Sequence, residues 1–159
     1  MTTMTTMTSA TADFAHHCLF LGQSPVRALG LFGEAFIEAG LGNTYVYNED
    51  DVPLFTLRSK YTRHDLHHES LARIWKECSV FREEHEGLII GGRVRSDPIN
   101  RTDMQFAGED FWLTRTGAGA GFWDGDWFHG EVLTVACEAY GAPDFYVGDD
   151  GKIHYNDGK

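Results

Sequence analysis

Three short stretches concentrate side chains capable of chemistry. The first, His64-Asp65-Leu66-His67-His68-Glu69, is the densest set of potential metal ligands. His64 and His68 would share a helical face if a helix began early enough, and two imidazoles so placed can grip one zinc ion. The metalloprotease form, His-Glu-x-x-His within an established helix, is absent. With His67 as a helix N-cap, His64 falls outside the helix, so a capped, solvated turn is expected. His16-His17 has no second pair nearby and reads as surface or half-buried histidine.

The second stretch, Gly117-Ala118-Gly119-Ala120-Gly121, invites a phosphate-loop reading. A Walker loop ends in Gly-Lys-Ser/Thr, and a dinucleotide loop leads from strand into helix. No lysine follows here, and aromatic segments flank the glycines, so a flexible hairpin or close backbone packing is expected. The third stretch is Trp123-Asp124-Gly125-Asp126-Trp127 with Glu131 close behind. Its alternating carboxylates resemble the start of a calcium loop. If Asp124 opened such a loop, Val135 would occupy the twelfth position, where the bidentate glutamate is required. Asp110, Asp124 and Asp126, with His129, are the residues a metal-dependent hydrolase or nuclease would use. No catalytic residue, metal or cofactor is assigned, and no Ser-His-Asp order or nucleophile elbow is visible.

Phe111, Trp112, Phe122, Trp123, Trp127 and Phe128 crowd the same region. Stacking on single-stranded nucleic acid needs a positive groove beside the rings, and Arg115 is the sole Lys or Arg from Asp103 to His129. Most of these rings are therefore expected in the core, with one or two exposed as anchors for a protein partner. Cys18, Cys78 and Cys137 are odd in number, widely spaced and without Cys-x-x-Cys, which points to small core residues in a reducing, cytosolic setting.

Charge supports the same reading. The formal net charge of the 159 residues is −11. Residues 1–102 carry −3 of it and residues 103–159 carry −8, while Arg58, Lys60 and Arg63 form a small opposing basic strip. Direct nucleic-acid binding, which depends on neutralising phosphates, is disfavoured. No apolar run reaches the length of a membrane span, and Met1–Ala12 lacks the features of a secretory signal.

The elements that must position these residues follow from periodicity. Phe14, Cys18 and Leu21 suit a short helix ending at Gly22, with a strand over His17–Leu21 as the alternative. Ser24-Pro25 opens a helix with Leu29, Phe32, Phe36 and Gly40 on one face. Thr44–Tyr47 and Leu54–Tyr61 read as strands about an acidic turn. Leu71, Ile74, Trp75, Cys78 and Phe81 predict a helix over His68–Glu84, with Leu66 and Leu71 as its staple. Asp97-Pro98 reads as the start of a short helix to about Ala107, closed by Gly108. Phe111–Arg115 and Phe122-Trp123 then form a hairpin across the glycines, and Glu131–Tyr140 forms a helix. In the final hairpin, Phe145, Val147, Ile153 and Tyr155 share a face only if the loop is Asp149-Asp150-Gly151. The expectation is an α+β fold, a small antiparallel sheet of hairpins packed with three to five helices. Residues 1–10 would be a flexible lead-in to a single domain over 11–159, with a ββαββ unit at 103–159.

The run from Asp110-Phe111-Trp112-Leu113-Thr114-Arg115 through Gly117–Gly121 to Phe122-Trp123-Asp124-Gly125-Asp126 resembles a signature of small bacteriophage, prophage and plasmid proteins. Tyr146-Val147-Gly148-Asp149-Asp150-Gly151-Lys152-Ile153 fits the same pattern. Asp65-Leu66, Glu69-Ser70-Leu71-Ala72 and Cys78 fit it more loosely, so the resemblance covers residues 63–157. Members of the family often carry a polar residue and a histidine where this chain has Thr116 and Ala118. The resemblance implies a phage or mobile-element setting and no particular activity.

These readings converge on a non-catalytic accessory protein in the host cytoplasm. It would bind a host protein through an acidic face made of Asp110, Trp123, Asp124, Asp126, Trp127, Glu131, Asp149 and Asp150. A nucleic-acid-binding defence complex is one such partner, which would make the protein an anti-restriction or anti-CRISPR inhibitor. A hydrolase or nuclease, and a virion component, are the alternatives.

Overall fold

A computed structural model describes residues 9–95, 97 and 99–159, apart from the side chains of Phe20 and Leu21. Most of the expected lead-in, and the Pro98 of the expected Asp97-Pro98 cap, lie outside the described residues. The element order is α1 (Ser9–Leu21), α2 (Pro25–Ala28), α3 (Gly30–Asn43), β1 (Tyr45–Tyr47), β2 (Pro53–Thr56), α4 (His68–Ile89), α5 (Asp103–Thr116), α6 (Gly130–Cys137), β3 (Asp144–Val147) and β4 (Ile153–Asn156). The fold is α+β. Its strands form two separate antiparallel pairs, β1–β2 and β3–β4, where a single small sheet was expected. Among the described residues no helix is long and apolar enough to cross a membrane.

α4 forms where the apolar stripe requires it and runs one turn further than expected. His67 caps it, its Nδ1 accepting from the Glu69 N–H at 3.3 Å, and Leu66 and Leu71 are both buried. Asp65 belongs to a separate single turn, where its Oδ2 accepts from the Thr62 N–H at 2.7 Å. The cluster of potential ligands is thus two consecutive caps.

The largest correction concerns residues 103–116. The expected strand over Phe111–Arg115 is the second half of α5, so residues 103–159 are not a ββαββ unit but two helices and a hairpin. α5 begins at a capping box: Thr102 accepts from the Gln105 N–H, and Gln105 accepts from the Thr102 N–H. Gly108 does not stop it. A Cβ at Gly108 would lie 2.1 Å from the Phe32 carbonyl oxygen, so glycine here lets α5 cross closely over α3. The helix ends at Gly117, whose φ of 65° closes the last turn.

The core is an aromatic stack at this crossing. Phe81 and Phe111 lie face to face at 4.2 Å, Trp112 and Phe145 at 5.0 Å, and Phe36 meets Trp112 edge-on at 5.2 Å. Full burial of each such side chain contributes about 1.5–3 kcal/mol. Inside it Arg115 donates to Glu77 Oε2 at 2.9 Å, and the Tyr155 hydroxyl donates to the same oxygen at 2.6 Å.

The C-terminal hairpin has the register expected from its buried face, with Phe145 opposite Tyr155 and Val147 opposite Ile153. Gly151 takes a φ of +76° in the turn. Of the four, only Val147, beside the turn, is exposed. β4 docks on the start of α4: the His67 N–H donates to the Ile153 carbonyl at 2.8 Å, and Ser70 Oγ accepts from the Tyr155 N–H at 2.9 Å. Arg58 and Arg63, from the expected basic strip, are taken up by α3, Arg63 meeting Glu34 at 3.5 Å and Arg58 donating to the Glu38 carbonyl at 2.5 Å.

Candidate functional site

The loop from Gly117 to His129 is irregular, and its shape is set by hydrogen bonds to its neighbours. The Phe122 N–H donates to Thr114 Oγ1 at 3.0 Å, and the Gly121 N–H to Asp124 Oδ2 at 3.3 Å. On its far side the loop pairs with the segment after α4. The Val94 N–H donates to the Asp126 carbonyl and the Phe128 N–H to the Gly92 carbonyl, each at 2.9 Å. Phe122 and Trp127 pack edge-on at 5.6 Å and anchor the loop in the core. The expected returning strand at Phe122-Trp123 is absent, because α5 leaves it no partner.

With Phe122 and Trp127 held inward, the intervening and following rings turn outward. Trp123 is 53% exposed and Phe128 66%. Val132 and Val135, on the open face of α6, continue the apolar surface. Trp123, Phe128 and Val132 line a groove of about 400 Å³ floored by Phe122 and Trp127, with Glu131 at its edge. Asp124 is exposed beside it and Asp126 half-buried. An aromatic patch with Glu131 at its edge and Asp124 exposed on the same loop has the composition of a binding centre for a basic protein surface.

Asp110 and Trp127 serve this site from beneath. Trp127 is buried, and its indole N–H donates to Asp110 Oδ2 at 2.6 Å. Burial pushes Asp110 up to about 6, with the Trp127 hydrogen bond opposing and the Asp124 charge reinforcing the shift. Arg93 bridges the same corner, its guanidinium 3.4 Å from the Phe106 ring centre and 5.6 Å from that of Trp127. Asp110, Asp124 and Asp126 are not gathered into a chelating set: among the described residues no three His, Cys, Asp or Glu side chains are placed to hold a metal ion.

Asp149 and Asp150 belong to a second surface. They sit in the β3–β4 turn, where Asp150 accepts from His154 Nε2 at 2.9 Å and His154 stacks on His67 at 4.7 Å. His67 precedes α4, whereas Arg93, which pairs with Trp127, follows it. The two acidic patches therefore lie toward opposite ends of a 22-residue helix, roughly 33 Å long at 1.5 Å per residue. The sequence grouped six acids and two tryptophans on one face; the fold divides them. It also exposes Phe128, one of the crowded rings, and adds Val132 and Val135, for which an open helix face offered no clear sequence signal.

Compared with family models, with curated proteins and with solved structures, the chain matches none of them.

Proposed function

We propose that this is a phage or mobile-element accessory protein that works in the host cytoplasm by binding rather than catalysis, seating a basic surface of a host protein on the Trp123–Phe128 face. The observation that carries this reading is the pair of outward rings at the lip of an acid-fringed groove, on a loop whose backbone is pinned to α5 and to residues 92–94. A preformed aromatic centre loses little conformational freedom on docking, and the flanking carboxylates steer a basic partner. The phage setting rests on the motif resemblance. Anti-defence inhibition is the form this takes if the partner's basic surface is its nucleic-acid groove.

The test is affinity capture from host lysate with the parent chain and with a Trp123→Ala/Phe128→Ala double variant. A partner retained by the parent, lost with the variant and released by moderate salt supports the proposal. Identical capture by both proteins removes this face from consideration. Recovery of the chain as a stoichiometric part of purified virions would favour an assembly role.

A further inference from the structure

We propose that the cleft between α1, the α2–α3 junction and α4 binds a small organic anion carrying a planar ring, the chemistry of a mononucleotide. This cleft, of about 530 Å³, lies outside the acidic face and falls within the size range of small-molecule sites. Its lining includes His17 from α1, Arg27 from α2, Glu34 from α3, and Trp75, Ser79 and Arg82 from α4. The three α4 residues stand at successive turns of one helix face, so a rigid element sets their spacing.

Two arginines without committed partners make the cleft unusual in a chain of net charge −11. Arg27 makes no ion pair among the described residues. Arg82 meets only the neighbouring Glu83, at 3.7 Å, and that carboxylate is 72% exposed and screened by solvent. Glu34, the one acid in the lining, pairs with Arg63 at 3.5 Å. Gly30 lines the cleft at φ +67°, a left-handed backbone conformation that glycine adopts without steric cost. By contrast, Arg63 meets Glu34 and Glu38 of α3, and Arg101 meets Glu109 of α5.

Two guanidiniums on one cleft, one without an ion pair and one held only by an exposed carboxylate, suit a phosphate or carboxylate, which they bind through charge-assisted hydrogen bonds. The volume exceeds what a bare phosphate fills. The remaining wall is aromatic, with His17 and Trp75 in contact at 5.0 Å, and Ser79 supplies a hydroxyl. An anion with a flat ring uses both halves of the site.

The test is calorimetric titration of the full chain with adenosine monophosphate, adenosine and inorganic phosphate. Saturable binding of the nucleotide, tighter than of either fragment, is expected. Arg27→Gln and Arg82→Gln should each weaken it by about tenfold, while Glu34→Gln should strengthen it. Circular dichroism melts of the variants verify folding. Absence of saturable nucleotide binding overturns the proposal, as does binding that both arginine variants leave unchanged. Phosphate binding as tightly as the nucleotide overturns the role given to the ring. Trp123→Ala is expected to leave the titration untouched, which separates this site from the protein-binding face.

Discussion

The indole N–H of Trp127 donates to Asp110 Oδ2 at 2.6 Å, tying the irregular loop to the middle of α5. Withdrawal from solvent raises this carboxyl from its ordinary 3.8 to about 6, against the pull of the indole hydrogen bond. Between those values the folded chain holds the proton more tightly than the unfolded chain. The stabilising contribution is therefore complete below the lower value and is lost as pH rises through about 6. The difference is at most about 3 kcal/mol. Asp110→Asn keeps an acceptor for the indole and removes the titration. Denaturant titrations should show the variant more stable than the parent at about pH 7, with the advantage gone near about pH 4. Parallel pH profiles for the two proteins would refute this.

Arg115 and Glu77 form the innermost ion pair, with the Arg115 side chain fully shielded from solvent. Its Nε also donates to the Gly141 carbonyl at 2.9 Å, so the guanidinium holds the chain segment entering β3. Glu77→Ala leaves that charge buried and the Tyr155 hydroxyl without its acceptor. A loss of about 3–5 kcal/mol is expected in urea unfolding. Arg115→Lys should recover little, because an ammonium cannot reproduce the forked contacts. A cost below about 1 kcal/mol would show the pair to be dispensable.

Two glycines of α5 should respond differently to alanine. At Gly108 the new Cβ would lie 2.1 Å from the Phe32 carbonyl oxygen, forcing α3 and α5 apart at a cost of about 1–3 kcal/mol or more. At Gly117 nothing lies within 4 Å, and the cost is only that of a left-handed residue, about 1 kcal/mol. Thermal melts of the two variants rank them, and the reverse order would contradict the close crossing.

The same pair shows what sequence could and could not disclose. α4 was legible because its apolar stripe, its cap at His67 and its staple agreed with one another. The β3–β4 register was legible because only one loop length placed Phe145 and Tyr155 on one face. α5 was not: Gly108 looks like a stop signal, and Phe111-Trp112-Leu113 has the bulk of a strand. The decisive fact, a helix crossing that needs glycine, is tertiary, although the Thr102/Gln105 capping box was present in the chain. At the candidate site, sequence foresaw that one or two rings would be exposed. Which rings depended on Phe122 and Trp127 being pulled inward, and no periodicity records that.

His67 gives a pH response of the opposite sign. Burial, and then the neighbouring charges of His68 and His154, lower its pKa from the ordinary 6.5. The unfolded chain thus takes up the proton more readily, and stability present above that value is lost as pH falls below it. The cap itself requires a neutral Nδ1 to accept from the Glu69 N–H. His67→Asn preserves a capping oxygen without a titrating group. It should flatten the decline on mild acidification, read by urea midpoints across that range. Combined with Asp110→Asn, the two effects should add, since the residues belong to separate hydrogen-bonded groups. A variant that still loses stability as the parent does would remove His67 as the source.

The separation of the acidic patches distinguishes local docking from extended nucleic-acid mimicry. Asp124 and Asp126 alternate along the chain with Trp123, Gly125 and Trp127 of the groove lining, whereas Asp149 and Asp150 sit near the other end of α4. A partner centred on Trp123 should lose affinity with Asp124→Asn/Asp126→Asn and be indifferent to Asp149→Asn/Asp150→Asn. A mimic laid along a nucleic-acid groove would use both patches, and each pair of neutralised charges would then reduce the salt dependence of binding. Trp123→Ala should weaken the docked complex by about 2 kcal/mol or more, as expected of a central aromatic anchor, while leaving the melting temperature within error because the ring is 53% exposed. Binding measurements on the captured partner at two salt concentrations decide between the modes. Equal sensitivity at both patches would move the contact surface from the groove to the whole length of α4.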